Sequence, residues 1–166
     1  NVQSFTPDER WTDKREAGHF YNAQADFAVE RLKGPGSCLV IGSPIFEAQE
    51  LAKSMSITYL DVRKPPYDFL HFIQADATNI PLPDNSFDAV SSTCVLCHAG
   101  LGRYGDPIVE DGDMKMLNEI SRVLKLGGLA ALTFGPVAAI DYFIRVGTLQ
   151  RVYTMREAIR MASEAK

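Results

Sequence analysis

The chain has 166 residues, of which 46% are hydrophobic and 23% are charged, so it can bury one ordinary core and we expect a single domain. Its net charge of -4 disfavours a broad electrostatic interaction with nucleic acid or anionic lipid. No apolar run approaches the roughly 20 residues of a membrane span, and residues 1–16 lack the hydrophobic segment of a secretory signal. These features predict a soluble, cytoplasmic protein that does not act in a membrane.

The first predicted elements are a helix, a buried strand and a second helix. An approximate apolar stripe predicts the first helix over residues 13–32, and Gly34-Pro35-Gly36 ends it. Residues 37–41, SCLVI, have the length and composition of a buried strand. Gly42-Ser43-Pro44 then turns the chain into a crossover helix over residues 46–54.

The second predicted strand covers residues 57–60 and is followed by an acid. Asp61 lies nineteen positions after Gly42, close to the spacing at which an acid after the second strand binds a ribose hydroxyl in nucleotide-binding α/β units. The alternative is an exposed acid paired with Arg63 or Lys64, and the residues alone leave both interpretations open.

The segment FIQADATNIPLPDNSFDAV predicts a strand, an acidic loop, a proline-bounded turn and another strand. Residues 70–74 have the length of a buried strand in a parallel sheet, and Asp76 falls just past the carboxyl end. Ligands of open α/β sheets bind outside these strand ends, so Asp76 is a candidate hydrogen-bond acceptor for the amine of adenine. An acid that contacts no ligand is the alternative. A fourth strand is predicted near residues 87–93.

The remaining residues continue the alternation of strands and helices. Residues 114–125, MKMLNEISRVLK, place apolar side chains on one helical face, and Gly127-Gly128 is expected to end that helix. Residues 129–134 predict a fifth strand, and residues 155–165 predict a last helix with capping-box spacing at its start. The whole pattern predicts a Rossmann-like α/β fold, an open, mostly parallel twisted sheet with helices on both faces.

This order of elements, with DATNIPLPDNSFDAV and EISRVLKLGGLAALTF, resembles the class I S-adenosylmethionine-dependent methyltransferases over most of residues 37–134. AGHFYNAQ, VIGSP and GLGRYGDPIVEDGDMK are also similar to a narrower family of uncharacterised methyltransferase-like proteins. The resemblance implies an N-terminal helical segment (1–36), a cofactor-binding core (37–135) and a C-terminal helical segment (136–166). The sequence ends before the antiparallel strand pair that usually completes this sheet, so we expect the fold to lack that pair.

The resemblance implies S-adenosylmethionine as the cofactor, with S-adenosylhomocysteine as the product, and a set of cofactor contacts. These contacts all lie at the predicted carboxyl ends of strands: Gly42 and Ser43 at the methionine portion, Asp61 and Val62 at the ribose, Asp76 and Ala77 at the adenine, and Ser91, Ser92 and Thr93 beside the sulfonium.

The first loop departs from the usual pattern of the class. Methyltransferases of this class usually have a glycine-rich loop after the first strand, whereas here Gly42 is followed by Ser43-Pro44-Ile45-Phe46. This departure motivates a second hypothesis, a non-catalytic binding or regulatory protein with a degenerate methyltransferase fold. A nicotinamide oxidoreductase ranks third, because the turn after the first predicted strand, Gly42-Ser43-Pro44, lacks the G-x-G-x-x-G pattern that brings a helix N-terminus to a pyrophosphate.

Methyl transfer from a sulfonium depends on an in-line approach in a dry, oriented site, so no catalytic triad is required. A hydroxyl or amine acceptor benefits from a base, and His98, just beyond the fourth strand, is the best-placed candidate. Tyr104 and Asp106, in a glycine-punctuated loop, are the next candidates. A structural hydrogen-bonding role is the alternative for His98. We expect a small-molecule or glycan-like acceptor and no nucleic-acid partner.

Cys94-Val95-Leu96-Cys97-His98 matches the C-x-x-C-H form of c-type haem attachment. Its position at the end of an apolar strand argues against haem and against a thioredoxin-like redox pair, which opens a helix. A structural zinc would need a fourth ligand, and Cys38 lies within the first predicted strand, where it is expected to pack as a small apolar group. We therefore expect no metal.

Overall fold

The computed structural model describes residues 18–65, 71–135, 137–138, 144–146 and 150–165. In chain order its elements are α1 (Gly18–Leu32), β1 (Ser37–Ile41), α2 (Ile45–Leu51), β2 (Ser56–Asp61), β3 (His71–Gln74), β4 (Phe87–Ser92), a 3₁₀ turn (Leu96–His98), α3 (Gly112–Val123), β5 (Leu124–Leu132), β6 (Val137–Ala138), β7 (Ile144–Val146), β8 (Gln150–Thr154) and α4 (Met155–Glu164).

Five strands form a parallel sheet in the order β3-β2-β1-β4-β5. Alternate side chains of the central strand β1 enter two different apolar clusters. Cys38 and Val40 pack with residues of α1 and α2, whereas Leu39 and Ile41 pack with residues of α3. Helices therefore cover both faces of the sheet, and the predicted Rossmann-like fold is confirmed.

Strand β3 is less buried than its apolar sequence predicts. Its four residues, His71–Gln74, are exposed or half-buried, because β3 lies at the edge of the sheet beside β2. Leu70, the first residue of the predicted strand, lies outside the described residues. Sequence periodicity records apolar character but does not distinguish a central strand from an edge strand.

The boundary between α3 and β5 differs from the predicted one. The helix ends at Val123 rather than at residue 125, and β5 begins at once with Leu124, which pairs with Phe87 of β4. Gly127, predicted to end a helix, lies inside the strand with φ of 81°, where the β4–β5 register is irregular. A glycine at this bulge adopts a left-handed conformation that other residues rarely adopt.

The predicted C-terminal helical segment begins with strands rather than with a helix. β6, β7 and β8 form a separate sheet in the order β6-β8-β7, in which β7 and β8 are antiparallel. Within the described residues, the large sheet contains parallel strands alone. Alternating burial along β8 fits a strand better than a helix. The last helix is confirmed as α4, and Thr154 and Glu157 form the predicted capping box.

The other helices lie close to their predicted positions. The structure describes α1 from Gly18 to Leu32, and residues 13–17 of the predicted helix lie outside the described part. Helix α2 ends at Leu51, three residues earlier than predicted, and hydrogen-bonded turns follow it. In the described part of the chain, no helix combines the length and apolar character that crossing a membrane requires.

Candidate active site

A pocket lies at the carboxyl end of the large sheet. The ends of β1, β2 and β3 form one side, and the segment after β4 forms the other. This edge is where ligands bind in open α/β sheets. Predicted site residues that line it are Gly42, Asp61, Val62, Asp76, Ala77, His98, Tyr104 and Asp106.

Asp61 ends β2, and its carboxylate is held by Arg63. The residue is only 5% exposed. Its Oδ1 accepts hydrogen bonds from the Arg63 backbone N–H at 2.9 Å and from Arg63 Nε at 3.3 Å, while Oδ2 accepts from Arg63 Nη2 at 3.4 Å. Asp61 therefore pairs with Arg63, as one interpretation of the sequence has it, but it is not the exposed acid of that interpretation because it lies at the buried end of an interior strand.

Asp76 follows the edge strand β3, and a local turn fixes its carboxylate. Oδ1 accepts from the Thr78 backbone N–H at 3.0 Å, and Oδ2 accepts from Thr78 Oγ1 at 2.7 Å. This two-residue contact sets the direction of the carboxylate before any ligand arrives. Ala77 is buried beside it, and Gln74 Nε2 donates to the Val62 carbonyl at 3.0 Å, which ties the ends of β2 and β3 together.

The 3₁₀ turn and the loop after it bring His98 and Tyr104 to the opposite side of the pocket. Their rings meet edge to face, with centroids 5.5 Å apart, and the Arg63 guanidinium lies over the Tyr104 ring at 4.5 Å. Asp106 accepts hydrogen bonds from the backbone N–H groups of Gly102 and Tyr104, both at 3.0 Å. These bonds give Asp106 a role in positioning the loop that carries Tyr104.

Four predicted contacts, Ser43 and Ser91 to Thr93, are buried behind the pocket rather than lining it. Ser91 Oγ donates to Glu47 Oε1 at 2.6 Å, Thr93 Oγ1 donates to Glu47 Oε2 at 2.7 Å, and Ser43 Oγ accepts from the Thr93 backbone N–H. Ser92 Oγ is buried and has no hydrogen-bond partner among the residues that the structure describes. The hydroxyls of Ser91 and Thr93 therefore face a carboxylate of α2.

Glu47 was missed by sequence reasoning. It is fully buried, and burial raises the pKa of its carboxyl, while hydrogen bonds from Ser91, Thr93 and Ser43 oppose that rise. The available signal was a charged residue in the apolar stretch IFEAQEL directly after the first turn. Buried charges in such positions are paired or hydrogen-bonded, as this one is.

The pocket suits a cationic nucleoside. Three carboxylates, on Asp61, Asp76 and Asp106, face a single guanidinium, so the charge of its lining is negative. Asp61 and Asp76 offer acceptor oxygens at the ends of neighbouring strands, as a ribose and an adenine amine require. Gly42 adopts φ of 55°, and its N–H donates to the Leu60 carbonyl at 2.8 Å, so the backbone bends sharply beside the pocket.

The cysteines of the C-x-x-C-H motif are packed as buried thiols. Cys94 and Cys97 are both buried, and Cys94 Sγ donates to Gln24 Oε1 at 3.1 Å. Cys38 packs in β1, and burial raises the pKa of its thiol to about 12. Within the described ranges, no group of three His, Cys, Asp or Glu residues is arranged to hold a metal ion.

An open parallel sheet with helices on both faces and an acid at the end of its second strand is the arrangement of the Rossmann-like nucleotide-binding folds. The sequence profile of the methyltransferase domain matches residues 48–132, about half of the chain. The chain therefore belongs to the methyltransferase domain family, among the class I S-adenosylmethionine-dependent methyltransferases, and its cofactor is S-adenosylmethionine. No curated protein matches the sequence.

Solved structures share this fold at low sequence identity. A methyltransferase candidate from Bacillus halodurans is 18% identical with a TM-score of 0.65, and the match covers 89% of this chain and 68% of that one. Burkholderia thailandensis 1,6-didemethyltoxoflavin-N1-methyltransferase is 14% identical with a TM-score of 0.64, covering 86% and 65%. The cyclase SpnF is 21% identical with a TM-score of 0.60, covering 96% and 60%. At these identities, the likeness shows the fold alone.

Proposed function

We propose that this methyltransferase transfers the methyl group to a small-molecule or glycan-like acceptor bound beside His98 and Tyr104. One observation carries the proposal: residues from four separate segments, at positions 42, 61, 76 and 98–106, line one pocket at the carboxyl end of the sheet. The pocket combines acceptor oxygens for a nucleoside with an imidazole and a phenol on its opposite side.

The residues that line the pocket would supply the direct contacts with the cofactor. Asp61 would accept the ribose hydroxyls, and Asp76 with the Ala77 backbone would bind the adenine. The sharp bend at Gly42 would receive the methionine portion. The site would also depend on three buried side chains that do not line the pocket: Ser43, Ser91 and Thr93. Their hydrogen bonds to one another and to Glu47 hold the carboxyl ends of β1 and β4 in place.

S-adenosylmethionine supplies an electrophilic methyl group on a sulfonium. The protein's contribution is then to orient the acceptor and exclude water, with help in removing a proton from a hydroxyl or amine. His98 is 8% exposed and lines the pocket, so it is placed to accept that proton. Tyr104 would pack against the acceptor or the nucleoside, and Asp106 would hold Tyr104 in place through the loop backbone.

One structural neighbour supports a small acceptor. The Burkholderia thailandensis methyltransferase was solved with 1,6-didemethyltoxoflavin and S-adenosylhomocysteine bound. The fold can therefore hold a small heterocycle together with the cofactor product.

A second candidate function is a binding protein that retains the fold without methyl transfer. Two observations favour this function. Pro44 directly precedes α2, and the hydroxyls of Ser91 and Thr93, at the end of β4, bond to Glu47 rather than lining the pocket. SpnF has the same fold and is described as a cyclase, which shows that fold alone does not fix the reaction.

Calorimetric titration with S-adenosylmethionine and S-adenosylhomocysteine tests the cofactor site. We expect saturable binding by the wild-type chain and at least a tenfold loss in Asp61→Ala, about 1.4 kcal/mol, because the ribose loses its charged acceptor. Asp84→Ala is the matched control, since Asp84 is an exposed aspartate that contacts Arg122, away from the pocket. A nicotinamide cofactor should not bind.

An acceptor screen with labelled S-adenosylmethionine then separates the two functions. Methyl transfer that falls in His98→Ala, with binding of S-adenosylhomocysteine retained, would support the enzyme with His98 as the base. Tight cofactor binding without turnover on any hydroxyl, amine or glycan in the screen would favour the binding protein. No cofactor binding by a folded chain would refute the proposed site.

A further inference from the structure

We propose that Arg63 is an internal competitor of the cofactor ribose, and that it sets the affinity of the site by occupying the Asp61 carboxylate. This inference rests on the proposed ribose-binding role of Asp61. Arg63 lies two residues after Asp61, lines the same pocket, and has a side chain that is 23% exposed. Part of the Arg63 side chain is therefore open to solvent.

The hydrogen-bonding capacity of Asp61 is nearly filled by Arg63. A carboxylate offers about four lone-pair positions on its two oxygens. Arg63 uses three of them, through its backbone N–H at 2.9 Å, Nε at 3.3 Å and Nη2 at 3.4 Å. Two ribose hydroxyls need two positions, so the guanidinium must release at least one.

The distances identify which contacts can be released. The backbone N–H makes the shortest bond and is fixed by the chain, whereas both guanidinium contacts are longer than a strong charge-assisted hydrogen bond. Ribose hydroxyls would therefore displace the guanidinium and leave the backbone bond in place. Asp61 would keep its orientation during the exchange.

The Tyr104 ring provides a place for the displaced guanidinium. Arg63 Cζ already lies 4.5 Å from the ring centroid, so a small rotation can free Asp61 while the cation–π contact persists. Tyr104 sits in a loop held by Asp106 and contacts the His98 ring. Ribose binding would thus change the contacts of Arg63 beside the residue proposed as the base.

Arg63→Ala provides the test, with two neutral nucleosides as probes. Adenosine carries both ribose hydroxyls, and 2′,3′-dideoxyadenosine carries neither, so changes in the overall charge of the pocket affect both alike. We expect Arg63→Ala to bind adenosine about fivefold more tightly than the wild type, since about 1 kcal/mol of competing hydrogen bonds is removed. Affinity for the dideoxy nucleoside should not change.

Two further variants control the test. Arg103→Ala removes another guanidinium that lies over Tyr104, at 5.4 Å, and should leave both affinities unchanged because no Arg103 contact with Asp61 is present in the described structure. Arg63→Lys keeps the positive charge but loses the bidentate guanidinium donor. Its affinity for adenosine should lie between those of the wild type and Arg63→Ala. Thermal unfolding of each variant establishes that it is folded.

The outcomes separate this inference from the proposed function. Wild-type binding of S-adenosylhomocysteine, with adenosine bound no more tightly by Arg63→Ala, would overturn the competitor role alone. An equal gain for both nucleosides would also overturn it, since the effect would then be independent of the hydroxyls. Failure of both the wild type and Arg63→Ala to bind S-adenosylhomocysteine would overturn the nucleoside site and the competitor role together.

Discussion

Glu47 shows how a single buried carboxylate can organise a site that it does not line. Its oxygens accept hydrogen bonds from Ser91 and Thr93, at the end of β4, and it lies in the first turn of α2. These bonds join the start of α2 to the end of β4, beside the turn that follows β1. The loop between β1 and α2 contains a single glycine, Gly42. The hydrogen bonds of Glu47 hold this loop beside the pocket.

The ionisation of Glu47 should make stability depend on pH. Burial raises the pKa of Glu47 above its ordinary value of 4.5, so the folded state favours the protonated form. Stability from this group is fully present below pH 4.5 and is lost as pH rises through the folded pKa. We expect Glu47→Gln, which cannot ionise, to lose less stability than the wild type between pH 4.5 and 8, measured by urea unfolding.

Glu50→Gln is the matched control for this experiment. Glu50 lies in the same helix, is partly exposed and pairs with Lys53 at 2.6 Å. Its replacement should leave the pH profile close to that of the wild type. Parallel pH profiles for Glu47→Gln and the wild type would contradict a raised pKa at Glu47.

At the scale of elements, the contact between the 3₁₀ turn and α3 positions the His98 side of the pocket. Gly112 begins α3 against the backbone of Ala99 and Gly100. A Cβ at Gly112 would lie 2.6 Å from the Ala99 carbonyl oxygen and 2.8 Å from the Gly100 Cα. No flexible side chain is available to yield, so one backbone segment would have to move.

Gly112→Ala is therefore expected to destabilise the fold and to displace the residues after β4. Overpacking of this kind costs about 2 kcal/mol, which urea unfolding would detect. Because Ala99 follows His98 directly, binding of S-adenosylhomocysteine should also weaken. Gly34→Ala is the control, since a Cβ there meets nothing within 4 Å. Wild-type stability and affinity in Gly112→Ala would show that the junction is more tolerant than its distances indicate.

For the whole molecule, the order of strands predicts where the fold opens first. Strand β1 lies between β2 and β4, and Cys38, Leu39, Val40 and Ile41 are at most 1% exposed. Strand β3 lies at the edge and is exposed or half-buried throughout. Local opening is easiest where few buried contacts must break, so the edge strand should open without global unfolding.

Native-state hydrogen exchange should resolve this difference. The amides of β1 and β4 are expected to exchange only through global unfolding, and those of β3 through local opening, at least tenfold faster. A saturating amount of S-adenosylhomocysteine should slow exchange in β3 more than in β5, because Asp76 and Ala77 lie in the loop that follows β3. Equal protection in β3 and β1 would contradict the expected hierarchy.

Local sequence patterns predicted much of the fold. Apolar runs gave β1 with the same boundaries that the structure has, and capping-box spacing placed the start of α4. The α3–β5 junction and the strands after residue 136 were not predicted, because their boundaries depend on pairing with distant residues. Leu124, for example, extends as a strand beside Phe87, to which it is paired across the sheet.

Local periodicity and spacing were enough to predict the alternation of strands and helices and the acids at the strand ends. Which of the predicted residues share a pocket depends on the tertiary structure. Ser91 and Thr93 lie 44 and 46 positions from Glu47, and Tyr104 meets Arg63 across the site. Such contacts depend on how the strands are ordered in the sheet, and the spacing of residues along the chain does not specify that order.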